Sequence, residues 1–237
     1  MGVGINPSGA PGAGGGGKAI SGLNVIGMGG GGGGGGGGPL APYGLGRGGS
    51  GMAPKSSFFG TGGGGNVYHV CYVIDRSGSM IDTFDAVRQE MLVSISRMRP
   101  IQDFHIILFA EGSPKELEHK RLVSATDRYK EDAAKFLEPV RAEGKTDPVP
   151  ALNRAFDVLA SADITKRQGK LIYLLTDGVF PDNAKVLDAV RKRNGGDKKT
   201  VLINTYLYGN RPPEAEKVLQ AIAAENGGRY KYVSSDE

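Results

Sequence analysis

Three short segments of this 237-residue chain carry the residue types that could do chemistry. Asp75, Ser77 and Ser79 follow an apolar run over residues 67–74, at the point where a buried strand would stop. They place one carboxylate and two hydroxyls on a tight turn with small spacers. Oxygen donors so placed suit a hard divalent cation such as Mg²⁺, which prefers octahedral oxygen coordination at about 2.0–2.1 Å and keeps several waters. Thr146 follows a Gly turn just ahead of a helical pattern, and Asp177 ends a second buried-looking strand over residues 171–176. In parallel sheets, ligands bind beyond the carboxyl ends of strands, where all three segments are expected to meet.

In order and type these positions resemble the von Willebrand factor A family, whose metal-ion-dependent adhesion site reads DxSxS, then T, then D. Asp75, Ser77, Ser79, Thr146 and Asp177 fill it, and the strand over residues 68–74 and the stretch 146–152 are also similar to the family. The resemblance spans residues 66–237. It implies an α/β fold: a doubly wound, mostly parallel six-stranded sheet with one antiparallel edge strand, Rossmann-like, lacking the family's usual last C-terminal helix. It also implies that Ser77, Ser79 and Thr146 bind Mg²⁺ through their hydroxyls, with Mn²⁺ or Ca²⁺ as alternatives, while Asp75 and Asp177 act directly or through water. One position would then be open to a protein ligand supplying an Asp or Glu carboxylate. The family is in general a binding module, and no Ser-His-Asp or Cys-His arrangement can be built from three scattered His, so no enzyme activity is expected.

Plainer readings stand beside this one. Ser and Asp on such turns often cap helices, Thr146 could cap the helix that follows it, and Asp177-Gly178 could be an ordinary turn. The chain could likewise be a scaffold protein, or a regulatory subunit of a larger complex, with the metal site mainly structural. Arg76, Lys145, Phe180 and Met80 fall at rim positions around the turn, where Arg76 and Lys145 would favour an acidic partner.

The elements that must position these residues follow from periodicity. Strands are expected near residues 67–75, 103–110, 169–176, 200–208 and 229–233, with 121–123 as the antiparallel edge. Helices are expected over about 80–98, 126–142, 148–161, 182–194 and 212–226. In the first of them Phe84, Val87, Met91, Ile95 and Met98 recur at three- and four-residue steps, a core stripe. Asp182 is the expected N-cap of the fourth.

Composition divides the chain. Residues 1–65 hold 30 of the 40 Gly, three basic residues and no acid, and are expected to be a disordered low-complexity segment, as in many bacterial members of the family. Phe58 and Phe59 within it either dock on the edge of the folded domain or sit in a solvated loop. Residues 66–237 hold 26 basic against 25 acidic residues, so the net charge of +4 lies mostly in the Gly-rich segment and argues against a nucleic-acid-binding field. The single Cys71 excludes an internal disulfide and reads as a buried core thiol. His69, His105 and His119 lack zinc-ligand spacing, and Gly12 to Ala19 misses the Ser or Thr of a phosphate-binding loop. No stretch approaches the about 20 apolar residues of a membrane span. The chain is expected to be soluble as written, in the cytoplasm, or membrane-tethered through an upstream anchor of the kind joined to Gly-rich segments in related bacterial chains.

Overall fold

The computed structural model describes residues 56–62, 66–165, 167–178, 180–196 and 200–235. The expectation of disorder over the Gly-rich segment therefore falls largely outside the described residues. Within them the folded unit takes in Ser56 to Gly62, ahead of the expected start at Asn66.

The central strand is β3 (His69–Asp75), with every residue buried. A strand covered on both faces reads as an unbroken apolar run rather than an alternation, which is why residues 67–74 were legible as a strand. It pairs in parallel with β4 (Asp103–Phe109) on one side and β7 (Lys170–Thr176) on the other. Beyond β7 lie β8 (Val201–Tyr208) and β9 (Tyr230–Val233), both parallel. The expected single antiparallel edge is divided between two strands of two residues, β5 (Lys115–Glu116) and β6 (Val123–Ser124), which pair with opposite ends of β4. Among the described residues the sheet thus has seven strands rather than six. β5 and β6 both run antiparallel to β4, and Lys120, with φ of 50°, lies in the loop that separates them.

Side chains alternate across β3. Val70, Tyr72 and Ile74 pack with α1 (Phe84–Ser96) and α2 (Asp127–Leu137), while Cys71 and Val73 pack with α3 (Val149–Ala160), α4 (Asn183–Asn194) and α5 (Pro213–Glu225). Helices on both faces make the sheet doubly wound. The α1 stripe of Phe84, Val87, Met91 and Ile95 is buried as its spacing predicts. This helix starts at Phe84 rather than residue 80, because Gly78–Met80 close a 3₁₀ turn instead. α2 ends at Leu137, since Pro139 cannot continue it. Among the described residues no helix is long and apolar enough to cross a membrane.

A hairpin hidden in the Gly-rich stretch completes the first face. β1 (Ser57–Phe58) and β2 (Thr61–Gly62) pair antiparallel around Phe59 and Gly60, both at positive φ (44° and 68°), as two-residue hairpin loops prefer. Phe58 is 0% exposed, with its ring 5.6, 5.3 and 5.1 Å from those of Tyr72, Tyr173 and Tyr206. From α1, Ser94 Oγ donates to Ser57 O and Glu90 Oε1 accepts from Phe59 N. The hairpin covers tyrosines that α1 leaves open.

Candidate metal centre

Asp75 ends β3, Ser77 and Ser79 lie in the 3₁₀ turn that follows, and Asp177 comes directly after β7. Because β3 and β7 are adjacent and in register, their C-terminal ends coincide, and two carboxylates about a hundred residues apart in sequence meet at one edge of the sheet. Ser79 Oγ donates to Asp177 Oδ1 at 2.8 Å, and the hydroxyls of Ser77 and Ser79 stand 3.1 Å apart. Asp75 Oδ1 accepts from Ser77 N at 2.7 Å, and its Oδ2 accepts from Thr176 Oγ1 at 2.6 Å. The structure therefore joins four of the five expected residues directly.

Thr146 arrives through the backbone. Gly78 N donates to Gly144 O and Glu143 N to Arg76 O, both at 2.8 Å, while Arg76 N donates to Phe109 O. These bonds clamp the loop before α3 against the turn after β3, two residues from Thr146. Gly144, at φ of 78°, makes the bend that the clamp requires. The Thr146 hydroxyl has no hydrogen-bond partner among the described residues.

Capping does not account for these side chains. Neither the 3₁₀ turn nor α3 has a side-chain cap at its N-cap position, and Val149 N takes its acceptor from Asp147 Oδ1 at 3.2 Å. Thr146 and the Ser77 hydroxyl are left for another role. Asp182, by contrast, caps α4 as expected, its Oδ1 accepting from Lys185 N at 2.9 Å.

The electrostatics are those of negative charge held without a basic partner among the described residues. Asp75 is 0% exposed and Asp177 8% exposed, and neither forms an ion pair with a described residue. Burial pushes the Asp75 carboxyl up from 3.8 to about 6, against its bonds from Thr176 and Ser77, and the nearby Asp177 charge adds to the rise. Burial likewise pushes Asp177 up, with Ser79 opposing. No cluster of three or more His, Cys, Asp or Glu stands among the described residues, so metal-ligating capacity here rests on hydroxyls as much as carboxylates. Two carboxylates and the hydroxyls of Ser77 and Ser79 make a hard, all-oxygen donor set of a kind that fits a divalent cation such as Mg²⁺, whose charge would relieve the repulsion between the acids, and the backbone clamp ends two residues from Thr146.

The expected rim is only partly where the sequence put it. Met80 and Phe180 are buried, 0% and 2% exposed, because each packs into an apolar cluster flanking the sheet. Arg76 is 6% exposed and bonds Glu143 at 2.9 Å, bracing the clamp instead of meeting a partner. Lys145 is exposed, as expected. Sequence reasoning missed Thr176 and the Gly144 clamp. Thr176 had one signal, a hydroxyl immediately before the strand-end acid; the clamp consists of backbone groups and had none.

The sequence profile of the von Willebrand factor type A domain matches residues 70–179. Von Willebrand factor A domain-containing protein 3A of Homo sapiens is 31% identical over 165 residues, 68% of this chain. The chain spans 13% of that relative's length. Among solved structures, von Willebrand factor type A from Catenulispora acidiphila aligns with a TM-score of 0.61 at 20% identity, over 71% of this chain and 39% of that one. The manganese-loaded Plasmodium vivax TRAP protein aligns with a TM-score of 0.54 at 18% identity, over 72% and 70%. At these identities the structural likenesses speak to the fold.

Proposed function

Since the folded part of this chain is a von Willebrand factor type A domain, we propose that it is a binding module which engages an acidic residue of a protein partner through a divalent cation, Mg²⁺ foremost, held by Asp75, Ser77, Ser79, Thr146 and Asp177. The observation that carries this reading is the pair of buried carboxylates, Asp75 and Asp177, set beside the hydroxyls of Ser77 and Ser79 without a basic partner among the described residues. A buried charge left unpaired is costly, and a fold keeps such a pair where a cation completes it. The manganese-loaded relative supports a divalent ion on this fold.

The cation would supply Lewis acidity toward an oxygen ligand. This chain's residues do the rest. Both oxygens of Asp75 already accept bonds from Ser77 N and Thr176 Oγ1, so Asp75 orients the turn and contributes charge at short range. Ser77, Ser79 and Thr146 donate neutral oxygens, which leave the bound cation electron-poor and receptive to a partner's carboxylate.

The test is calorimetric titration of Mg²⁺ and Mn²⁺ into the chelator-stripped full chain, with Asp177→Asn beside it. Saturable binding that the variant loses is expected, followed by capture of partner protein with Mg²⁺ and release by chelator. Equal heats from wild type and variant would leave the turn as a structural motif and move the scaffold reading ahead.

A further inference from the structure

Between the turn after β3 and the loop before α3 lies an ion pair whose two members are outside the ligand set. Arg76 stands between Asp75 and Ser77 in the chain, so a force on its backbone is a force on the turn. Its guanidinium is buried, and Nη1 donates to Glu143 Oε1 at 2.9 Å. The buried Nε has no hydrogen-bond partner, and Glu143 is the acid that answers this charge among the described residues. Glu143 adds a second bond through its backbone, its N donating to Arg76 O at 2.8 Å. From the other side Lys115 Nζ donates to the same Oε1 at 3.1 Å. Lys115 and Arg76 hold the Glu143 carboxyl below its ordinary 4.5, so the pair is ionic at neutral pH.

One bond between two segments fixes a distance, whereas two bonds between the same pair of residues also fix their orientation. Arg76 and Glu143 therefore make a two-point latch across the site. Three residues past Glu143 comes Thr146. Gly144, at φ of 78°, bends the chain beyond the latch, and its O accepts from Gly78 N. On the far side of Thr146, Asp147 Oδ1 accepts from Val149 N at 3.2 Å and Pro148 is buried. Only Lys145 and Thr146 separate the two anchored points, and the N-terminal anchor is the one tied to the turn that carries Ser77 and Ser79. Arg76 has no lone pair with which to hold a cation. A donor already held in place loses less conformational entropy when its ligand arrives. Resting on the metal-dependent reading above, we propose that Arg76 and Glu143 are positioning residues of the metal centre, whose latch holds Thr146 in place for the cation. Cation affinity, and not fold stability alone, then depends on an ion pair that does not touch the metal.

The test is a double-mutant cycle on the full chain, read by calorimetric titration of Mg²⁺ and Mn²⁺ and by melting in chelator. Glu143→Ala is expected to weaken cation binding by at least about fivefold, the scale of one hydrogen bond, and Glu143→Gln, which keeps an acceptor oxygen, to recover most of that loss. With Thr146→Val in place, Glu143→Ala should change affinity by less than about twofold, since the donor it positions is gone. Glu143→Asp keeps the charge with a shorter reach, and it carries the same cycle if Glu143→Ala does not fold. Wild-type affinity in a Glu143→Ala domain of lowered melting temperature overturns the proposal, and so does an equal loss with and without the Thr146 hydroxyl, because either leaves the pair as a stability element. Wild-type affinity in Thr146→Val, while Asp177→Asn loses binding, removes Thr146 from the centre and overturns the positioning role with it. Absence of saturable binding by the wild-type chain overturns the metal-dependent reading itself.

Discussion

Replacing Asp75 by Asn should stabilise the metal-free domain and abolish its response to metal. In the structure the Asp75 carboxyl is moved from 3.8 to about 6, which at 1.36 kcal/mol per unit makes its ionised form about 3 kcal/mol costlier in the fold than in the unfolded chain near neutral pH. For an acid whose folded value is raised, this penalty is fully present above the folded value and disappears below the unfolded one. Asn cannot ionise, and it can keep both contacts: its Oδ1 accepts from Ser77 N, and its Nδ2 donates to Thr176 Oγ1 once that hydroxyl turns. In chelator at neutral pH, Asp75→Asn is therefore expected to melt about 6–12 °C higher than wild type, taking 2–4 °C per kcal/mol for a chain of this size. The gap should close as pH falls through 6 toward 4. Adding Mg²⁺ at about a hundredfold its dissociation constant should raise wild type by about 2.7 kcal/mol and leave the variant unmoved. Thermal unfolding by circular dichroism, in chelator and in Mg²⁺ across this pH range, measures every term. An Asp75→Asn domain that melts below wild type in chelator, or that gains as much from Mg²⁺, refutes the reasoning.

Ser79→Ala removes the hydroxyl that bonds Asp177 and stands beside Ser77, so Mg²⁺ affinity should fall by about tenfold or more, while the melting temperature in chelator shifts by no more than the loss of about one hydrogen bond; calorimetry and a melting curve read the two separately. Phe58→Ala empties the site among Tyr72, Tyr173 and Tyr206 and should cost about 3–5 kcal/mol, seen as a lower denaturation midpoint at unchanged slope. A midpoint equal to wild type would show that the hairpin does not stay docked in solution. Burial holds His105 below its ordinary 6.5, despite the bond to Glu116, so the unfolded chain takes up a proton that the fold resists. Stability from this group is present above that pH and is lost as pH falls through it, and urea unfolding of wild type against His105→Gln should show the difference narrowing toward acid.

The parts legible in the sequence were those whose cause is local. Residues 67–74 read as a central strand because covering by helices on both faces demands an unbroken apolar run, and the α1 stripe read as core because its period matches the helical turn. The candidate site could be written down as five residues since Asp75, Ser77, Ser79, Thr146 and Asp177 each sit at a strand end or ahead of a helix, where the local pattern announces them. Their meeting was not local. It required β3 and β7 to lie side by side in register, and a backbone clamp through Gly78, Gly144, Arg76 and Glu143 that uses peptide groups common to every residue. Burial was decided at the same level: Met80 and Phe180 follow site residues in sequence, yet turn into the core, while Phe58 leaves a Gly-rich stretch to fill a gap between tyrosines from three different strands. Sequence by itself set the residue types and local periods, which determine the elements and the donor chemistry. Only the tertiary structure decided which donors converge, which charges lack a partner and which apolar side chains are covered, because each depends on distances between segments far apart along the chain.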